Sequence, residues 1–274
     1  MTPCPRCGET PAARFRDASA IEDELAARRR FFPRGRDVTE VALGVPADIF
    51  RCERCGILIR GDAPDDGVFR EDRYSPAFLR SLHDAHAAAF RAKRGDYRPL
   101  LAPRARVVEI GSYAGGFLRA ASEWGWLATG VDIGGDTSRF TAALGFDMRE
   151  DFAFEDVDAV FIWNCFEQLT EPRRTLAAAH RALRDGGLLV LRVPDADLYV
   201  ERRDLRVLAC NGLLGWPHRF GFGAAALRRL AAEHGFALQR VLHRPPLPPL
   251  SAECRGWLEL TFRRAADGRR RLAA

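Results

Sequence analysis

The chain has 274 residues, of which 47% are hydrophobic and 29% are charged, and its formal net charge is +5. That length accommodates one large domain and a small additional module, and the composition is typical of a soluble globular protein. No apolar run approaches the roughly 18 residues needed to span a bilayer, and the N-terminus lacks the apolar stretch of a signal peptide. We therefore expect a cytoplasmic protein with no membrane-spanning segment.

The positive charge is carried almost entirely by arginine. Lys93 is the single lysine, and the arginines are scattered along the chain and interleaved with acidic residues. Nucleic-acid-binding proteins usually gather such charges into one patch or stripe, whereas only residues 28–30 and 269–271 form dense clusters here. The pattern favours solvated surface charge over a nucleic-acid-binding surface and leaves that alternative open.

Two cysteine pairs near the N-terminus repeat one short motif. Cys4 and Cys7 form one C-x-x-C-G motif, Cys52 and Cys55 form another, and residues 21–32 between them are expected to include a helix. Four thiolates arranged in two such pairs make a tetrahedral structural zinc site with no open position for catalysis. A redox dithiol usually opens a helix, which neither motif does, and chance is the other alternative. We predict structural zinc on these four cysteines and expect the other three to be packed thiols.

A helix is expected from the residue after Ser75. Ser75 is a good N-cap, and Pro76 suits the first helical position. Apolar residues then recur at helical spacing as far as Phe90. His83 and His86 lie on this helix, and either could face a ligand. Since nothing in the sequence pairs them with one, packing roles are favoured.

The most informative segment is residues 107–118, with the sequence VVEIGSYAGGFL. It reads as a buried strand, a glycine-bearing turn and the start of a helix. Glycines let the backbone approach a ligand closely, and a helix N-terminus offers unpaired N–H groups. Asp132 lies 21 residues after Gly111, at the end of the next apolar strand. A carboxylate there can accept hydrogen bonds from both hydroxyls of a ribose, so the pattern predicts a nucleoside-cofactor site.

Tyr113 stands where a dinucleotide-binding G-x-G-x-x-G loop has its second glycine. A bulky side chain there argues against a pyrophosphate and favours a smaller ligand without phosphate. The segment resembles motif I of class I S-adenosylmethionine (SAM) methyltransferases, and the resemblance continues through residues 157–172, 175–195 and 218–236. An unrelated α/β domain with a glycine turn is the alternative.

The N-terminal cysteine motifs extend this resemblance, because many SAM methyltransferases of natural-product and sugar biosynthesis begin with such a zinc ribbon. The resemblance implies three parts. They are a zinc-ribbon-like module over residues 1–62, a connecting or lid helix over 63–99 and a SAM-binding methyltransferase domain over 100–274.

Later apolar runs complete the expected sheet. Four of them are expected to be strands: 126–133, 145–149, 157–163 and 188–193. The runs at 236–244 and 256–265 are joined by a proline-rich segment too short for a helical crossover, so they should pair antiparallel. We predict an α/β fold with the Rossmann-like seven-stranded class I methyltransferase sheet. It ends in an antiparallel hairpin and is preceded by the small zinc-ribbon module.

The resemblance also implies which residues contact the cofactor: Glu109, Gly111, Gly115, Asp132, Ile133, Asp151, Phe152 and Asn164. In this assignment Glu109 lies near the amino group of SAM and Asp132 takes the ribose. Asp151 and Phe152 would contact the adenine, although a loop acid and a core aromatic are nearly as consistent with the sequence.

Methyl transfer is a displacement at a sulfonium, in which the cofactor supplies the reactive group and the protein aligns the acceptor. Related small-molecule enzymes often carry E-H-L after the fourth strand, whereas this chain has Glu167, Gln168 and Leu169. Gln168 can orient a substrate but cannot act as a base. His218 and Glu167 are therefore the candidate catalytic residues, with a surface-loop histidine and a loop-pinning acid as the alternatives.

The predicted function is SAM-dependent O-, C- or N-methylation of a small molecule, in specialised metabolism or sugar modification. One alternative is a zinc-ribbon RNA methyltransferase. The other is a non-catalytic partner protein with the SAM fold, which Tyr113 and Gln168 suggest. Neither the acceptor nor the oligomeric state is readable from the sequence.

Overall fold

A computed structural model describes residues 2–11, 13–28, 47–62, 74–202, 207, 213–215, 217–243 and 256–266. Part of the helix expected within 21–32, the arginine cluster at 269–271 and the proline-rich link at 245–254 lie outside these ranges. Within them, no helix combines the length and the apolar character needed to cross a membrane.

The elements follow the order expected of an α/β chain. The strands are β1 Arg14–Arg16, β2 Ile49–Arg51, β3 Leu58–Arg60, β4 Arg106–Ile110, β5 Leu127–Val131, β6 Asp147–Arg149, β7 Val157–Trp163, β8 Leu183–Pro194, β9 Phe220–Gly221, β10 Phe236–His243 and β11 Trp257–Arg264. The helices are α1 Ala18–Arg28, α2 Pro76–Ala92, α3 Arg94–Tyr97, α4 Gly116–Glu123, α5 Gly135–Ala143, α6 Pro172–Ala182, α7 Ala196–Arg202 and α8 Ala224–Ala232, with a 3₁₀ turn at Arg98–Leu100.

The larger sheet has seven strands in the order β10-β11-β8-β7-β4-β5-β6. Strands β6, β5, β4, β7 and β8 are parallel, and β11 pairs antiparallel with both β8 and β10. The inner strands β4, β7 and β8 are buried along most of their length, as parallel strands covered on both faces require. The predicted class I methyltransferase sheet with its terminal antiparallel hairpin is confirmed.

Strand β8 begins earlier than the sequence predicts. Its first residue is Leu183 rather than residue 188. Val157 pairs with Leu183 and Ala159 with Leu188, so the residues between Leu183 and Leu188 bulge out of the ladder. Gly186 in this bulge has φ +70°, a left-handed conformation that favours glycine. Gly186 and Gly187 therefore lie in an irregularity inside one strand.

The smaller sheet joins N-terminal strands to one strand from later in the chain. Its strand order is β1-β2-β3-β9, and β9 comes from the second half of the sequence. Leu58 pairs with Gly221, and the backbone N–H of Arg60 donates to the carbonyl of Arg219 at 2.9 Å. The cysteine-bearing segment thus shares hydrogen bonds with the chain that follows the main parallel strands. The domain boundaries drawn from the sequence stay predictions.

Helix α2 begins where the sequence predicts. The Oγ of Ser75 accepts a hydrogen bond from the N–H of Phe78 at 3.2 Å, and Pro76 is the first helical residue. The helix packs against α4, and the ring centroid of Phe90 lies 5.2 Å from that of Phe117. This packing holds α2 across the carboxyl end of the larger sheet.

Candidate functional site

The turn after β4 has an unusual backbone. Gly111 and Gly115 have φ +75° and +71°, and Tyr113 between them has φ +48°. A left-handed conformation is uncommon for a residue with a side chain. Tyr113 adopts it between two glycines that have the same conformation. A Cβ at Gly111 would lie 2.5 Å from the Sγ of Cys165, which is a second reason for glycine there.

A cavity of about 690 Å³ lies between α2, this glycine loop and the carboxyl ends of β4, β5, β7 and β8. Ligand pockets commonly occupy ~300–1,000 Å³, and open α/β sheets bind their ligands at this edge. The cavity is therefore large enough for a nucleoside together with a small second molecule.

Five of the predicted cofactor residues border the cavity: Glu109, Gly111, Asp132, Ile133 and Asn164. The other three do not border it. Gly115 is buried at the start of α4, and a Cβ there would lie 2.5 Å from Thr141 Cγ2. Asp151 is exposed, and the ring of Phe152 packs against Phe154 with centroids 5.3 Å apart. Their contacts with a cofactor stay predictions.

Asp132 ties the end of β5 to the glycine loop. Its Oδ2 accepts a hydrogen bond from the backbone N–H of Tyr113 at 2.7 Å, and its Oδ1 accepts one from Gly134 at 2.8 Å. A carboxylate offers about four lone-pair positions, and these two bonds orient the group at the edge of the cavity.

Glu109 is a buried acid with unused hydrogen-bonding capacity. It is 3% exposed, and its Oε2 has no hydrogen-bond partner among the described residues. Burial raises the pKa of Glu109 well above its ordinary value, the charge of Asp132 raises it further, and Arg192 acts in the opposite direction. A buried acceptor beside a cavity suits a donor supplied by the ligand, because leaving it unpaired is costly.

The two candidate catalytic residues lie together, but neither borders the cavity. The Nε2 of His218 is 3.6 Å from the Oε1 of Glu167, and both side chains are buried. Burial raises the pKa of Glu167 to about 8, against the opposing effects of its own backbone and Arg192. The carbonyl of Glu167 accepts hydrogen bonds from the N–H groups of Arg219 and Phe220 at 2.9 and 3.0 Å. The pair therefore lies between β9 and the loop that borders the cavity, and its catalytic role stays a prediction.

Several residues on the neighbouring loop and helix also border the cavity. Gln168 is one of them, and its Nε2 donates to the carbonyl of Asn164 at 2.8 Å. Cys165, expected to be a packed thiol, is half-buried and borders the cavity too. Of the two helix histidines, His83 has the packing role that the sequence favours, with Nδ1 2.7 Å from the carbonyl of Ala114. His86 instead borders the cavity.

Two basic residues at the cavity were not identified from the sequence. Lys93 follows α2, and Arg192 lies on β8. Both make an ion pair with Glu259, which lies on β11 and is 1% exposed. The available signal was a single charge within each of two apolar strands, at Arg192 in LLVLRV and at Glu259 in WLELTF.

Four thiols lie within 4.8 Å of one another and could hold one metal ion: Cys4, Cys7, Cys52 and Cys55. Each pair closes the same turn, since the N–H of Gly8 donates to the carbonyl of Cys4 at 2.9 Å and that of Gly56 donates to Cys52 at 2.7 Å. Four sulfurs at ~2.3 Å from one zinc ion are ~3.8 Å apart. The distance between the Sγ atoms of Cys7 and Cys52 is 3.6 Å, so the cluster is compatible with a zinc ribbon.

Arg6 connects this cysteine cluster to the rest of the protein. Its Nη1 lies 3.6 Å from the Sγ of Cys55, and its Nε donates to the Oε1 of Glu233 at 2.8 Å. Glu233 directly follows α8. A hydrogen bond donated to the sulfur of a metal-binding cysteine helps to orient that ligand.

A family model described as a methyltransferase domain matches residues 76–241, from the start of α2 into β10. The chain belongs to this methyltransferase family. The match includes the glycine loop, Asp132 and the loop after β7, and so covers most of the cavity.

Several solved structures are similar to this chain. Mitomycin 7-O-methyltransferase MmcR is 16% identical over 73% of this chain and 60% of its own, with a TM-score of 0.50. A Haloferax volcanii methyltransferase, solved in complex with the Trm112 methyltransferase activator, is 17% identical over 67% of this chain and 98% of its own, with a TM-score of 0.49. A SAM-dependent methyltransferase from Mesorhizobium loti is 18% identical over 63% of this chain and 98% of its own, also at 0.49.

No curated protein sequence matches the chain. The family match and the likeness to MmcR give the chain a SAM-dependent methyltransferase fold. Similarity at these identities describes the fold and leaves the methyl acceptor open.

Proposed function

We propose that the protein binds SAM in this cavity and transfers the methyl group to a small molecule. The observation that carries this proposal is the convergence of Asp132, the glycine loop and the unpaired carboxyl oxygen of Glu109 on one cavity at the carboxyl edge of the sheet. When bound, SAM supplies an electrophilic methyl group on a sulfonium centre.

The residues present fit the chemical groups of that cofactor. Asp132, oriented by two backbone N–H groups, would accept hydrogen bonds from the ribose hydroxyls. Glu109 would accept from the ammonium of the methionine part, whose charge favours the ionised carboxylate and offsets the effect of burial. Ile133 borders the cavity next to Asp132 and would lie beside the adenine.

The loop after β7 would orient the methyl acceptor. Asn164 and Gln168 present polar side chains at the cavity, and Pro217 supplies an apolar surface. Glu167 directly precedes Gln168 but is buried behind the loop and held to β9 through its backbone. These contacts favour a positioning role for Glu167 and His218 over direct proton transfer in the reaction.

Zinc on the four cysteines would have a structural role. Four thiolates fill a tetrahedral coordination sphere, so no position is left for a substrate. The ion would join the Cys4–Cys7 turn to the Cys52–Cys55 turn, which connects β2 to β3. Strand β3 in turn pairs with β9 next to the Glu167 loop. Zinc would thereby stabilise the strands that hold the Glu167 loop, next to one wall of the cavity.

Methyl transfer can be tested with SAM carrying a labelled methyl group. Phenols, amines and carboxylic acids form one set of acceptors, and total RNA forms another. The proposal expects label on a small molecule and formation of S-adenosylhomocysteine (SAH), both lost in Asp132→Asn. Label on RNA alone would support the RNA methyltransferase alternative. A folded protein that binds neither SAM nor SAH would support the non-catalytic alternative.

A further inference from the structure

The only lysine of the chain borders the cavity. Of the 42 basic residues, 41 are arginine, and the exception is Lys93. It follows the last residue of α2, and its side chain is 29% exposed. It forms an ion pair with Glu259 on β11. A compact ammonium group therefore lies at the cavity of a protein whose other basic side chains are guanidinium groups.

Arg192 lies at the same end of the cavity in a rigid setting. Its guanidinium lies 5.0 Å from the ring centroid of Trp163, 5.4 Å from that of Trp257 and 5.5 Å from that of Phe90. Its Nε donates to the Oδ1 of Asn164 at 3.1 Å. Three rings and one amide therefore fix the direction in which the remaining N–H groups point.

The charges at this end do not balance. Lys93 and Arg192 both border the cavity, whereas Glu259, the acid between them, is buried behind it. The OH of Tyr97 also donates to Glu259. Burial acts to raise the pKa of Glu259, but Arg192 and Lys93 outweigh it and hold that pKa below its ordinary value. Two cations thus face one ionised carboxylate. Arg192 also acts on Glu109, but burial raises the pKa of Glu109 well above its ordinary value, so this end of the cavity keeps positive charge for a ligand to neutralise.

A further donor lies within this positive charge. The Nη2 of Arg192 makes no hydrogen bond within the described ranges. Trp163 also borders the cavity, but its indole nitrogen is buried and is not exposed to a ligand. An N–H group of a cation that has no acceptor is what an oxyanion requires.

We propose that Lys93 and Arg192 form a carboxylate-binding subsite at the β8 end of the cavity. This inference rests on the proposed function, because it concerns the cavity assigned to SAM. A carboxylate could come from the methyl acceptor or from the methionine part of the cofactor, and the two sources are separable by experiment.

The first experiment measures the binding of SAH and of its decarboxylated analogue by calorimetry. Wild type is compared with Lys93→Met, Glu259→Gln and the control Arg94→Met, which removes a neighbouring exposed charge. If the subsite holds the cofactor carboxylate, wild type prefers SAH about tenfold or more, and Lys93→Met removes this preference. Glu259→Gln increases this preference for SAH, because the substitution leaves the charges of Lys93 and Arg192 without an opposing carboxylate.

The second experiment measures the binding of benzoate and of the isosteric neutral benzamide in the presence of saturating SAH. If the subsite holds the acceptor carboxylate, SAH and its analogue bind equally. Benzoate then binds to wild type and Arg94→Met, more tightly to Glu259→Gln and at least about tenfold more weakly to Lys93→Met. Benzamide binds to none of them. Thermal unfolding of each variant identifies any that is misfolded.

A third measurement needs no substitution. Apart from the amino terminus, Lys93 carries the only primary amine of the sequence, so an amine-acylating reagent modifies just these two groups. The carboxylate ligand should slow acylation of Lys93 several-fold and leave the amino terminus unchanged as an internal reference. Protection by benzamide or by decarboxylated SAH to the same degree would contradict the inference.

The inference is overturned if SAH binds, yet neither Lys93→Met nor Glu259→Gln alters the discrimination of carboxylates from neutral analogues. Lys93 and Arg192 would then serve only to pair with Glu259. A wild-type protein that does not bind SAH would instead contradict the proposed function itself, so the two failures are distinguishable.

Discussion

A Cβ atom at Gly116 would lie 2.4 Å from the Cβ of His86 and 2.9 Å from the backbone nitrogen of Ala87. Helix α2 therefore touches the backbone of α4 where α4 leaves the glycine loop. Because His86 also borders the cavity, this contact fixes one of the cavity walls. The close approach depends on the absence of a side chain at Gly116.

Gly116→Ala should displace α2 and weaken both the fold and the cofactor site. We expect a loss of about 1–3 kcal/mol in the free energy of unfolding from overpacking, and weaker binding of SAH. Gly95→Ala is the matched control, since nothing lies within 4 Å of a Cβ added there. Urea unfolding and calorimetry of both variants test this. Equal stability of the two would show that α2 is not held as described.

Asp132→Asn should reduce the affinity for SAH by at least about tenfold, because the ribose would lose a charged acceptor. Asp151→Asn should change it less than about twofold, since Asp151 is exposed and does not border the cavity. Calorimetric titration of both proteins with SAH gives the comparison. A large loss in Asp151→Asn would instead support the adenine contact predicted from the sequence.

Glu167→Gln should change how stability depends on pH. The folded-state pKa of Glu167 is about 8 and its ordinary value is 4.5, so between these limits the folded protein retains a proton that the unfolded chain has released. The free energy of unfolding therefore falls as pH rises through this window.

The size of this loss is of the order of a few kcal/mol, and glutamine, which mimics the protonated acid, should remove it. Urea unfolding at pH 5 and pH 9 measures it as the difference between wild type and Glu167→Gln. Taking the difference cancels the titration of Glu109, which is present in both proteins. Parallel pH profiles would show that burial does not raise the pKa of Glu167 as described.

Cys52→Ser should release zinc from the purified protein. Elemental analysis should find about one zinc per chain in wild type and in Cys165→Ser, because Cys165 is outside the four-cysteine cluster. Cys52→Ser should contain little zinc and should unfold at a lower temperature. Equal zinc content in the two variants would exclude the cluster as the metal site.

Local patterns predicted much of the fold and part of the site. The spacing within each cysteine pair, the glycines before Phe117 and the apolar run Val157–Trp163 are each contained in a few adjacent residues. These features depend on neighbours in sequence, so the turns and strands could be read directly. Asp132 could be located because one strand and one helix fix its distance from the loop.

Contacts between distant parts of the chain could not be predicted in this way. Lys93 meets Glu259 across 166 residues, and β9, which has two residues, pairs with β3 from the opposite end of the sequence. Such partners are set by the order of the strands in the sheets, and no sequence pattern around Lys93 specifies that order. The cationic end of the cavity depends on the pairing of β8 with β11, which places Glu259 opposite Arg192.

The most direct test of the account is calorimetric titration of the full chain with SAH. We predict one site with micromolar affinity, which corresponds to about −8 kcal/mol, and an increase in melting temperature when SAH is present. Absence of both heat and thermal stabilisation at millimolar SAH, in a protein that unfolds cooperatively, would contradict the assignment of this cavity to SAM.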